Sequence, residues 1–499
     1  MNTLRRTCPA GRRVMAGLLL SGLWLLASPA APAPAEPTIE VIAIDSTAKG
    51  RPFPHFWEQM IGSGRAPLAL RESYRNNLRT VMSATAINYL RFHEIFSDDL
   101  GVYDEDRRGA PIYNFQAVDQ IYDGLLAMGV RPFVELGFMP KKLAARLDLH
   151  PFWDKPIVAP PKDYGKWDEL IGEFARHLIA RYGIDEVASW YFEVWNEPNF
   201  DFWTGRPLQE TYFELYDHTA RALKNVSPRL RVGGPATAAT AWVGALIAHA
   251  VKAGVPIDFV STHVYGDEEP RNVIGRDEAI PRYRLVCPAV RKARAEIEAS
   301  ARPDLPLFFT EFNATSDPEG KLLDSLFMGP WLAQMIRDCD GFAEMMSYWT
   351  FSDDFDERGV IPRPFNGGFG LIGIDGIPKP SFEAFRLLHG LGIERLDNAA
   401  ENILITRRDD GTLVIAAWNL VAPKTSGEPI EAQFRLAGLK LGVRARITRL
   451  DESHGDTARL YAQMGSPVYP TRAQTDALQG AARLAAAETM EIAAGEFRL

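Results

Sequence analysis

Between residue 50 and about residue 390, eight short, apolar, β-rich runs alternate with longer stretches in which apolar residues recur at three- and four-residue spacing. This alternation is typical of strands that are each followed by an amphipathic helix, and it predicts a parallel sheet with helical crossovers. The count of eight favours a closed (β/α)8 TIM barrel, of class α/β, over an open doubly wound sheet. The runs are FWEQMIG (56–62), INYLRFH (87–93), VRPFVELGF (130–138), WYFEVWNEP (190–198), RLRVGGPA (229–236), IDFVSTHVY (257–265), LPLFFTEFN (305–313) and MSYWTFSD (346–353).

The pattern changes after about residue 390, where short period-2 runs and a DG turn replace the long helical stretches. Such runs predict a small all-β domain, a sandwich, over residues 391–499, interrupted by a helical stretch near TRAQTDALQGAARLAAA (471–487). The segment 36–50 contains one further strand, TIEVIAIDST (38–47), which we expect to join this domain. The barrel then occupies residues 51–390.

The first 35 residues have the three parts of a secretory signal peptide. Four arginines precede the apolar run VMAGLLLSGLWLL, and the small-residue run ASPAAPAPA follows it, with a predicted cleavage near Ala35. The alternative is a retained membrane anchor, but the apolar run is shorter than the roughly 20 residues that a span needs. We therefore expect a secreted or periplasmic protein that has no membrane segment after cleavage.

Charge and cysteine content restrict the partners of the mature chain. Removal of residues 1–35 leaves 51 of the 55 basic residues against 64 acidic ones, a net charge of −13, which argues against binding to nucleic acid or to an anionic membrane. Cys287 and Cys339 could pair after export or remain as two buried thiols. No stretch has the spacing of a zinc site, a P-loop or a dinucleotide-binding motif, so no metal or cofactor is expected. The oligomeric state stays open.

Polar residues stand at the ends of most predicted strands. In a (β/α)8 barrel the carboxyl ends of the strands form the active-site face, so we expect these residues to share one cavity. Phe138, Trp195, Trp349 and Phe351 would supply flat apolar walls. The polar residues are Arg91 and His93 on the second strand, Asn196 and Glu197 on the fourth, His263 and Tyr265 on the sixth, Glu311 and Asn313 on the seventh, and Ser352 and Asp353 on the eighth.

Glu197 and Glu311 form the candidate catalytic pair, because strands four and seven face each other across the mouth of a barrel. Two opposed carboxyl groups in an aromatic cleft suit hydrolysis of a glycosidic bond: one donates a proton to the leaving group, and the other attacks or activates water. A structural, salt-bridged role is the alternative for each. Glu193 lies four residues earlier on the same strand, and we assign it to the barrel interior.

The motifs WNEPN (195–199) and TEF (310–312) resemble those of glycosidases with catalytic glutamates on strands four and seven. The finer resemblance is to glycoside hydrolase family 39, which contains β-xylosidases and α-L-iduronidases, and it runs over nearly the whole mature chain in family order. The stretches that carry it include RFHEIFSDD (91–99), WYFEVWNEPNFDFW (190–203), DFVSTHVY (258–265), FTEFN (309–313) and SYWTFSDDFDERG (347–359).

The resemblance implies a retaining mechanism with Glu197 as acid/base and Glu311 as nucleophile. It also implies that Asn196 hydrogen-bonds the sugar 2-hydroxyl and that His93, His263 and Tyr265 line the sugar subsite. Arg91 is expected either in that subsite or as a buried partner of a strand carboxylate.

The stretch SDDFDE (352–357) bears on the substrate. By resemblance to the xylosidases, Asp356 and Glu357 would offer carboxylates to sugar hydroxyls, whereas a uronic acid would need cationic or amide donors. The expected activity is therefore that of a β-D-xylosidase acting on xylo-oligosaccharides. Two departures from the xylosidase pattern, Glu94 in place of a small residue and Asp356 in place of a Glu, could narrow or reshape the sugar site.

Other readings of the same motifs stay open. They comprise another family 39 specificity (endo-glycosidase, α-L-iduronidase, arabinosidase or β-glucosidase-like), a transglycosylase, and a carbohydrate-binding protein without catalysis. The presence of both Glu197 and Glu311 argues against the last of these.

Overall fold

A computed structural model describes residues 38–317, 321–438, 443–492 and 496–498 of the chain. The predicted signal peptide, residues 1–35, lies outside the described residues.

Eight parallel strands close into a barrel, with each strand hydrogen-bonded to its sequence neighbours and the last to the first. Each predicted strand overlaps an observed one, so the (β/α)8 prediction is confirmed. The strands are β1 Met60–Arg65, β2 Tyr89–His93, β3 Arg131–Leu136, β4 Tyr191–Val194, β5 Arg231–Thr237, β6 Phe259–Tyr265, β7 Leu307–Asn313 and β8 Met345–Tyr348.

One long helix follows each barrel strand and packs outside it. In α3, Asp163 caps the first turn by accepting hydrogen bonds from the backbone N–H groups of Gly165 and Lys166. The helices are α1 Glu72–Met82, α2 Gln116–Ala127, α3 Tyr164–Tyr182, α4 Leu208–Val226, α5 Val243–Ala253, α6 Val286–Glu298, α7 Met328–Cys339 and α8 Pro380–His389. Short helical turns lie at Ala66–Leu70, Asp98–Leu100, Ile184–Val187, Ala238–Thr240, Pro270–Ile274, Arg282–Arg284 and Ile374–Gly376, and a small hairpin pairs Tyr103–Glu105 with Pro111–Tyr113.

The barrel interior is layered, because alternate residues of a strand point to the same side. An apolar layer fills the N-terminal end and consists of Met60, Phe133, Phe259, Phe308 and Met345, with Tyr89 and Tyr191 packed against it. Two residues further along the strands, the interior side chains are charged or polar. They are Arg91, Glu135, Glu193, Ser261 and Thr310, and all of them are buried. The apolar layer therefore closes the N-terminal end of the barrel, and the charged layer faces the C-terminal end, where the catalytic candidates lie.

Two sheets form the predicted sandwich beyond the barrel. The strands after the barrel are β9 Glu394–Leu396, β10 Ile403–Arg407, β11 Leu413–Ala417, β12 Ile430–Ala437, β13 Arg444–Ile447, β14 Glu488–Glu491 and β15 Glu496–Arg498. The N-terminal strand Thr38–Asp45 pairs in parallel with β12, which also pairs with β15, and the short strand Arg51–Pro52 extends the sheet of β9, β10 and β11. Between these two sheets lies an apolar core that includes Ile42, Ile44, Ile403, Ile405 and Phe434. Strands β13 and β14 form a separate antiparallel pair.

Two helices between β13 and β14 dock onto the barrel. They are α9 Thr457–Gln463 and α10 Arg472–Ala481, the latter at the predicted helical stretch. The Tyr461 ring lies 5.2 Å from that of Phe365, and the Thr457 hydroxyl donates to the carbonyl of Pro378 at 2.9 Å. Both partners belong to the segment between β8 and α8, so these helices help to hold a loop of the active-site face.

Cys287 of α6 and Cys339 of α7 form a disulfide. The pairing, which the sequence leaves open, links two neighbouring barrel helices. Among the described residues, no helix combines the length and apolar character needed to cross a bilayer.

Candidate active site

Glu197 stands where strand β4 breaks. The strand ends at Val194, and Trp195 and Glu197 adopt left-handed backbone conformations with φ of 70° and 42°. For residues with a Cβ such conformations are uncommon and costly, and they concentrate at functional sites. They turn the backbone out of the sheet, and the Glu197 N–H then donates to the carbonyl of Ala236 at 2.8 Å.

Glu311 lies near the end of β7, and each of its carboxylate oxygens accepts a hydrogen bond. Arg91 Nη1 donates to Oε1 at 2.8 Å, and the Tyr265 hydroxyl donates to Oε2 at 2.6 Å. Both contacts are charge-assisted hydrogen bonds, which are stronger than neutral ones. Burial raises the pKa of Tyr265 well above its usual value, and the charges of Glu311 and Glu197 add to this, so the phenol keeps the proton it donates.

The two candidate catalytic carboxyl groups face each other closely. One oxygen of Glu197, one oxygen of Glu311 and a ring nitrogen of His263 all lie within 4.8 Å of one another. Retaining glycosidases have carboxyl groups ~5–5.5 Å apart and inverting ones ~6.5–9.5 Å, so this separation fits retention. The same three groups have a spacing that could also hold a metal ion.

Arg91 is the centre of a fully buried ion cluster. Its Nε donates to Glu193 at 2.6 Å, Nη1 to Glu311 at 2.8 Å, and Nη2 to Asn196 Oδ1 at 2.9 Å, while Nη2 also lies 3.0 Å from Glu135. Burial by itself would lower the pKa of Arg91, but these carboxylates raise it above its usual value. Arg91 is thus the buried partner of strand carboxylates, one of the two roles expected. Because Asn196 accepts through Oδ1, its amide N–H groups remain to donate to a sugar.

A chain of hydrogen bonds defines the proton positions around His263. Burial lowers the pKa of His263 well below its usual value, and the charge of Arg91 adds to this, so the imidazole is neutral. Thr310 Oγ1 donates to Glu193 at 2.8 Å and lies 3.0 Å from His263 Nε2, so it accepts the Nε2–H. His263 Nδ1 is then an acceptor, and the Glu197 oxygen 2.9 Å from it must carry the proton.

The electrostatic surroundings of Glu197 also favour its protonated form. Burial raises its pKa well above the usual value, the negative charge of Glu311 raises it further, and Arg91 opposes the shift. Burial likewise raises the pKa of Glu268 to about 8, so the negative charge of Glu268 adds to the shift only in mildly alkaline solution. The field and the hydrogen-bond pattern therefore agree that Glu197 is a carboxylic acid at neutral pH.

Aromatic rings and His93 line the side of the site near β2 and β3. The His93 ring lies 4.8 Å from Trp349 and 6.0 Å from Phe138, and both aromatic residues are almost fully buried. His93 Nδ1 is 2.5 Å from Glu135, while Nε2 lies 3.7 Å from Glu311 Oε1. His93 Nε2 thus points at the nucleophile side, where the predicted sugar subsite would be.

The segment after β8 places its two predicted sugar-binding carboxylates differently. Glu357 Oε1 is buried, has no hydrogen-bond partner within the part of the chain that the structure describes, and lies 3.5 Å from His93 Nε2. Asp356 instead forms an ion pair with Arg71, with Nη2 donating at 2.8 Å, and has no contact with the Glu311 cluster among the described residues. The position of Glu357 agrees with its predicted role, whereas Asp356 anchors its loop to Arg71; the sugar-binding role of each residue stays a prediction.

Three of the strand-end residues anchor the structure instead of facing a ligand. Asp353 forms a buried ion pair with Lys379 at 2.7 Å, Ser352 accepts from Asn77 at 2.8 Å, and Asn313 donates to the carbonyl of Trp349. The two-residue period could not separate Ser352 and Asp353 from the ligand-facing residues, because β8 ends at Tyr348 and the chain beyond it leaves the barrel.

Burial raises the pKa of Glu94 well above its usual value, and the neighbouring carboxyl group of Asp154 raises it further. Glu94 has a φ of 67°, in the left-handed region. Asp154 is also one of the charges that raise the pKa of Glu357, after burial and Glu311. The departure from the xylosidase pattern at Glu94 thus places a carboxyl group beside Asp154, which in turn acts on Glu357.

Sequence reasoning missed four contributors to the site: Glu135, Asp154, Glu268 and Thr310. Glu135 had a usable signal, because it stands inside the apolar run PFVELGF and is paired in register with Glu193. Thr310 directly precedes Glu311, and only the neighbouring strand shows that its hydroxyl meets His263. Asp154 and Glu268 lie in loops and have no periodic pattern.

A TIM barrel with two close carboxyl groups on β4 and β7, one protonated and one held as a carboxylate, defines the class of retaining glycosidases. The sequence model described as Glycosyl hydrolases family 39 matches residues 40–494. The chain therefore belongs to glycosyl hydrolase family 39, as its motifs predicted.

Curated relatives and solved structures agree with this assignment. A β-xylosidase of Geobacillus stearothermophilus is 38% identical over 453 residues, which cover 89% of this chain and 89% of that protein. The crystal structure of a monomeric β-xylosidase from Caulobacter crescentus CB15 has a TM-score of 0.81 at 37% identity and covers 92% of this chain and 96% of that chain. A family 39 enzyme from Xanthomonas axonopodis pv. citri has a TM-score of 0.83 at 34% identity, with 94% and 95% covered.

Proposed function

We propose that the chain is a β-D-xylosidase that cleaves terminal xylose from xylo-oligosaccharides with retention of configuration. The observation that carries this proposal is the opposed pair Glu197 and Glu311, with oxygens within 4.8 Å of each other and with different protonation environments. The similarity to β-xylosidases over most of the chain supports xylose as the sugar. The carboxyl groups of Glu357 and Glu268 lie within electrostatic range of the pair, and carboxyl groups suit the hydroxyls of a neutral sugar better than the carboxylate of a uronic acid.

The proposed reaction has two displacements. Glu311 Oε attacks the anomeric carbon while Glu197 gives its proton to the departing glycosidic oxygen, which leaves a glycosyl ester on Glu311. Glu197, now a carboxylate, takes a proton from water as the water attacks the same carbon, and Glu311 is released. Asn196 is positioned to donate to the sugar 2-hydroxyl, an interaction that strengthens in the transition state.

The test is a panel of aryl glycosides: β-D-xyloside, α-L-arabinoside, β-D-glucoside and α-L-iduronide. We expect the highest kcat/KM on the xyloside, with the products followed by NMR to show the β-anomer first. A higher kcat/KM on another member would replace xylose as the substrate. No turnover of any member would point to endo action or to carbohydrate binding alone.

The Thr310→Val substitution should shift the pH dependence of the reaction. Loss of the hydroxyl frees His263 to adopt the other tautomer, in which Nδ1–H donates to Glu197 and favours its ionised form. The acid must be protonated, so the alkaline limb of kcat/KM reports its pKa. We expect this limb to move to lower pH by about 0.5–1 unit, a shift that corresponds to the free energy of one hydrogen bond.

Thr262→Val is the matched control for this shift. Thr262 is also buried, precedes His263, and donates to the carbonyl of Thr237 at 2.8 Å, away from Glu193. The alkaline limb of kcat/KM for Thr262→Val should stay at the same pH as in the wild type. An unchanged limb in Thr310→Val would show that Thr310 does not set the tautomer of His263.

We also propose that the protein is exported and that residues 1–35 are removed. The disulfide between Cys287 and Cys339 supports this proposal, because such bonds persist in oxidising compartments. The mass of the mature protein, purified from its native host, should correspond to a chain that begins at Glu36. A chain with an intact N-terminus would contradict the proposal.

A further inference from the structure

Three side chains that can bind a metal ion lie together at the end of the barrel opposite the catalytic pair. His55 and Glu58 lie just before β1, and His389 is the last residue of α8. Residues that precede a barrel strand lie at the N-terminal face, which contributes to stability and not to catalysis. The group is therefore separate from Glu197 and Glu311, which stand at the C-terminal ends of β4 and β7.

The donor atoms converge with distances near those of a zinc site. His55 Nδ1 lies 2.6 Å from Glu58 Oε1, and His389 Nδ1 lies 3.1 Å and 2.9 Å from Glu58 Oε1 and Oε2. All three donor atoms lie within 4.8 Å of one another. With metal–ligand bonds of about 2.0–2.1 Å, tetrahedral ligands stand about 3.3 Å apart, so small side-chain shifts would admit an ion.

The surroundings hold the donors in place and leave a path to solvent. Glu58 is fully buried, and its Oε2 accepts from the backbone N–H of Ala86 at 3.3 Å. The His55 ring stacks on Trp57 at 4.4 Å. The His389 side chain is 43% exposed, so an ion and a water molecule can reach the carboxylate past it.

We propose that His55, Glu58 and His389 bind one zinc ion, with water as the fourth ligand. Two imidazoles and one carboxylate, with an open position, form a donor set that zinc uses in proteins. Nδ1 of each imidazole would have to be unprotonated to bind the ion, so binding should weaken as the pH falls.

The location gives the ion a structural role. It would join the segment before β1 to the end of α8, the first and last parts of the barrel. The sandwich begins at the same place, where Phe53 N–H donates to the carbonyl of Ile393 at 2.7 Å and Pro52 pairs with Glu394. A bound ion should therefore raise the thermal unfolding temperature of the whole chain, because a ligand that binds only the native state stabilises it.

The test is a calorimetric titration of EDTA-dialysed protein with Zn²⁺, with unfolding temperature and glycosidase activity measured on the same samples. We expect one equivalent to bind, the unfolding temperature to rise, and activity to stay unchanged. His389→Gln should lose affinity by a factor of ~10 or more while remaining folded, because His389 is half exposed. Co²⁺ in place of Zn²⁺ should give the visible absorption of a tetrahedral site in wild type only.

His249→Gln is the matched control, because His249 also lies on a barrel helix, with Nε2 2.8 Å from Asp217. It should bind Zn²⁺ as wild type does. No stoichiometric binding, or equal binding by His389→Gln, would overturn the proposal. Binding that abolishes activity and is prevented by xylose would also overturn it, since it would assign the ion to Glu197, His263 and Glu311.

Discussion

Glu311→Ala should reduce kcat/KM on an aryl β-xyloside by on the order of 10⁴-fold or more, while the protein remains folded. The substitution removes the group that attacks the anomeric carbon and leaves the rest of the site in place. Arg91 keeps its contacts with Glu193, Glu135 and Asn196, so the buried cation still has partners. Steady-state kinetics, together with circular dichroism to check folding, measure the effect.

Azide distinguishes the nucleophile from the acid. In Glu311→Ala, azide can enter the space left by the side chain and attack the anomeric carbon directly, so the glycosyl azide should have inverted configuration. In Glu197→Ala, the ester still forms with an activated leaving group, and azide then attacks the ester, so the product should keep its configuration. NMR of the two azides gives the answer. Opposite results would exchange the roles of the two glutamates.

Arg91→Met should destabilise the protein by ~3–5 kcal/mol, the cost of removing one partner from a buried ion pair. The guanidinium contacts four oxygen-bearing side chains, and methionine fills a similar length without a charge or a donor. Glu135, Glu193 and Glu311 would then face one another without a cation. Urea unfolding at constant pH measures the loss, and activity should fall with it because Glu311 loses the donor on Oε1.

Two further variants make this prediction specific. Arg176→Met removes an arginine that is about half exposed and pairs with Glu173 on the surface of α3, and it should cost less than ~1 kcal/mol. Arg91→Lys keeps the charge but not the planar set of donors, and its stability should lie between Arg91→Met and wild type. If Arg91→Met unfolds at the same urea concentration as wild type, Arg91 does not stabilise the core of the barrel.

The barrel was readable from the sequence because each strand is short, apolar and followed by a helix-period stretch. The run IDFVSTHVY (257–265), for example, contains the observed strand β6 Phe259–Tyr265. Strand ends were less certain, since hydrogen bonding ends before the apolar pattern does. In MSYWTFSD (346–353) the strand stops at Tyr348, and the residues beyond it bond to the segment that follows, as the Asp353 N–H does to the carbonyl of Ile372.

The residues of the site also fall into two groups, those that the sequence identifies and those that only the structure shows. Glu197 and Glu311 could be identified from the sequence because strand number and strand end place them on opposite sides of one cavity, and Arg91, Asn196, His263 and Tyr265 join them in the structure. The ion pair of Asp356 with Arg71 could not be foreseen, since it joins segments far apart in the chain. Likewise Glu58 and His389 are 331 positions apart, so no linear motif indicates their contact.

Local pattern therefore determined the class of fold, the number of strands, the two catalytic candidates and the family, because hydrophobic period and short motifs depend on neighbours in sequence. Tertiary structure decided which carboxyl group carries a proton. That choice depends on burial, on the charge of Glu311, and on a hydrogen-bond chain from Arg91 through Glu193, Thr310 and His263 to Glu197. These residues come from four different strands, and only closure of the barrel brings them within hydrogen-bonding distance.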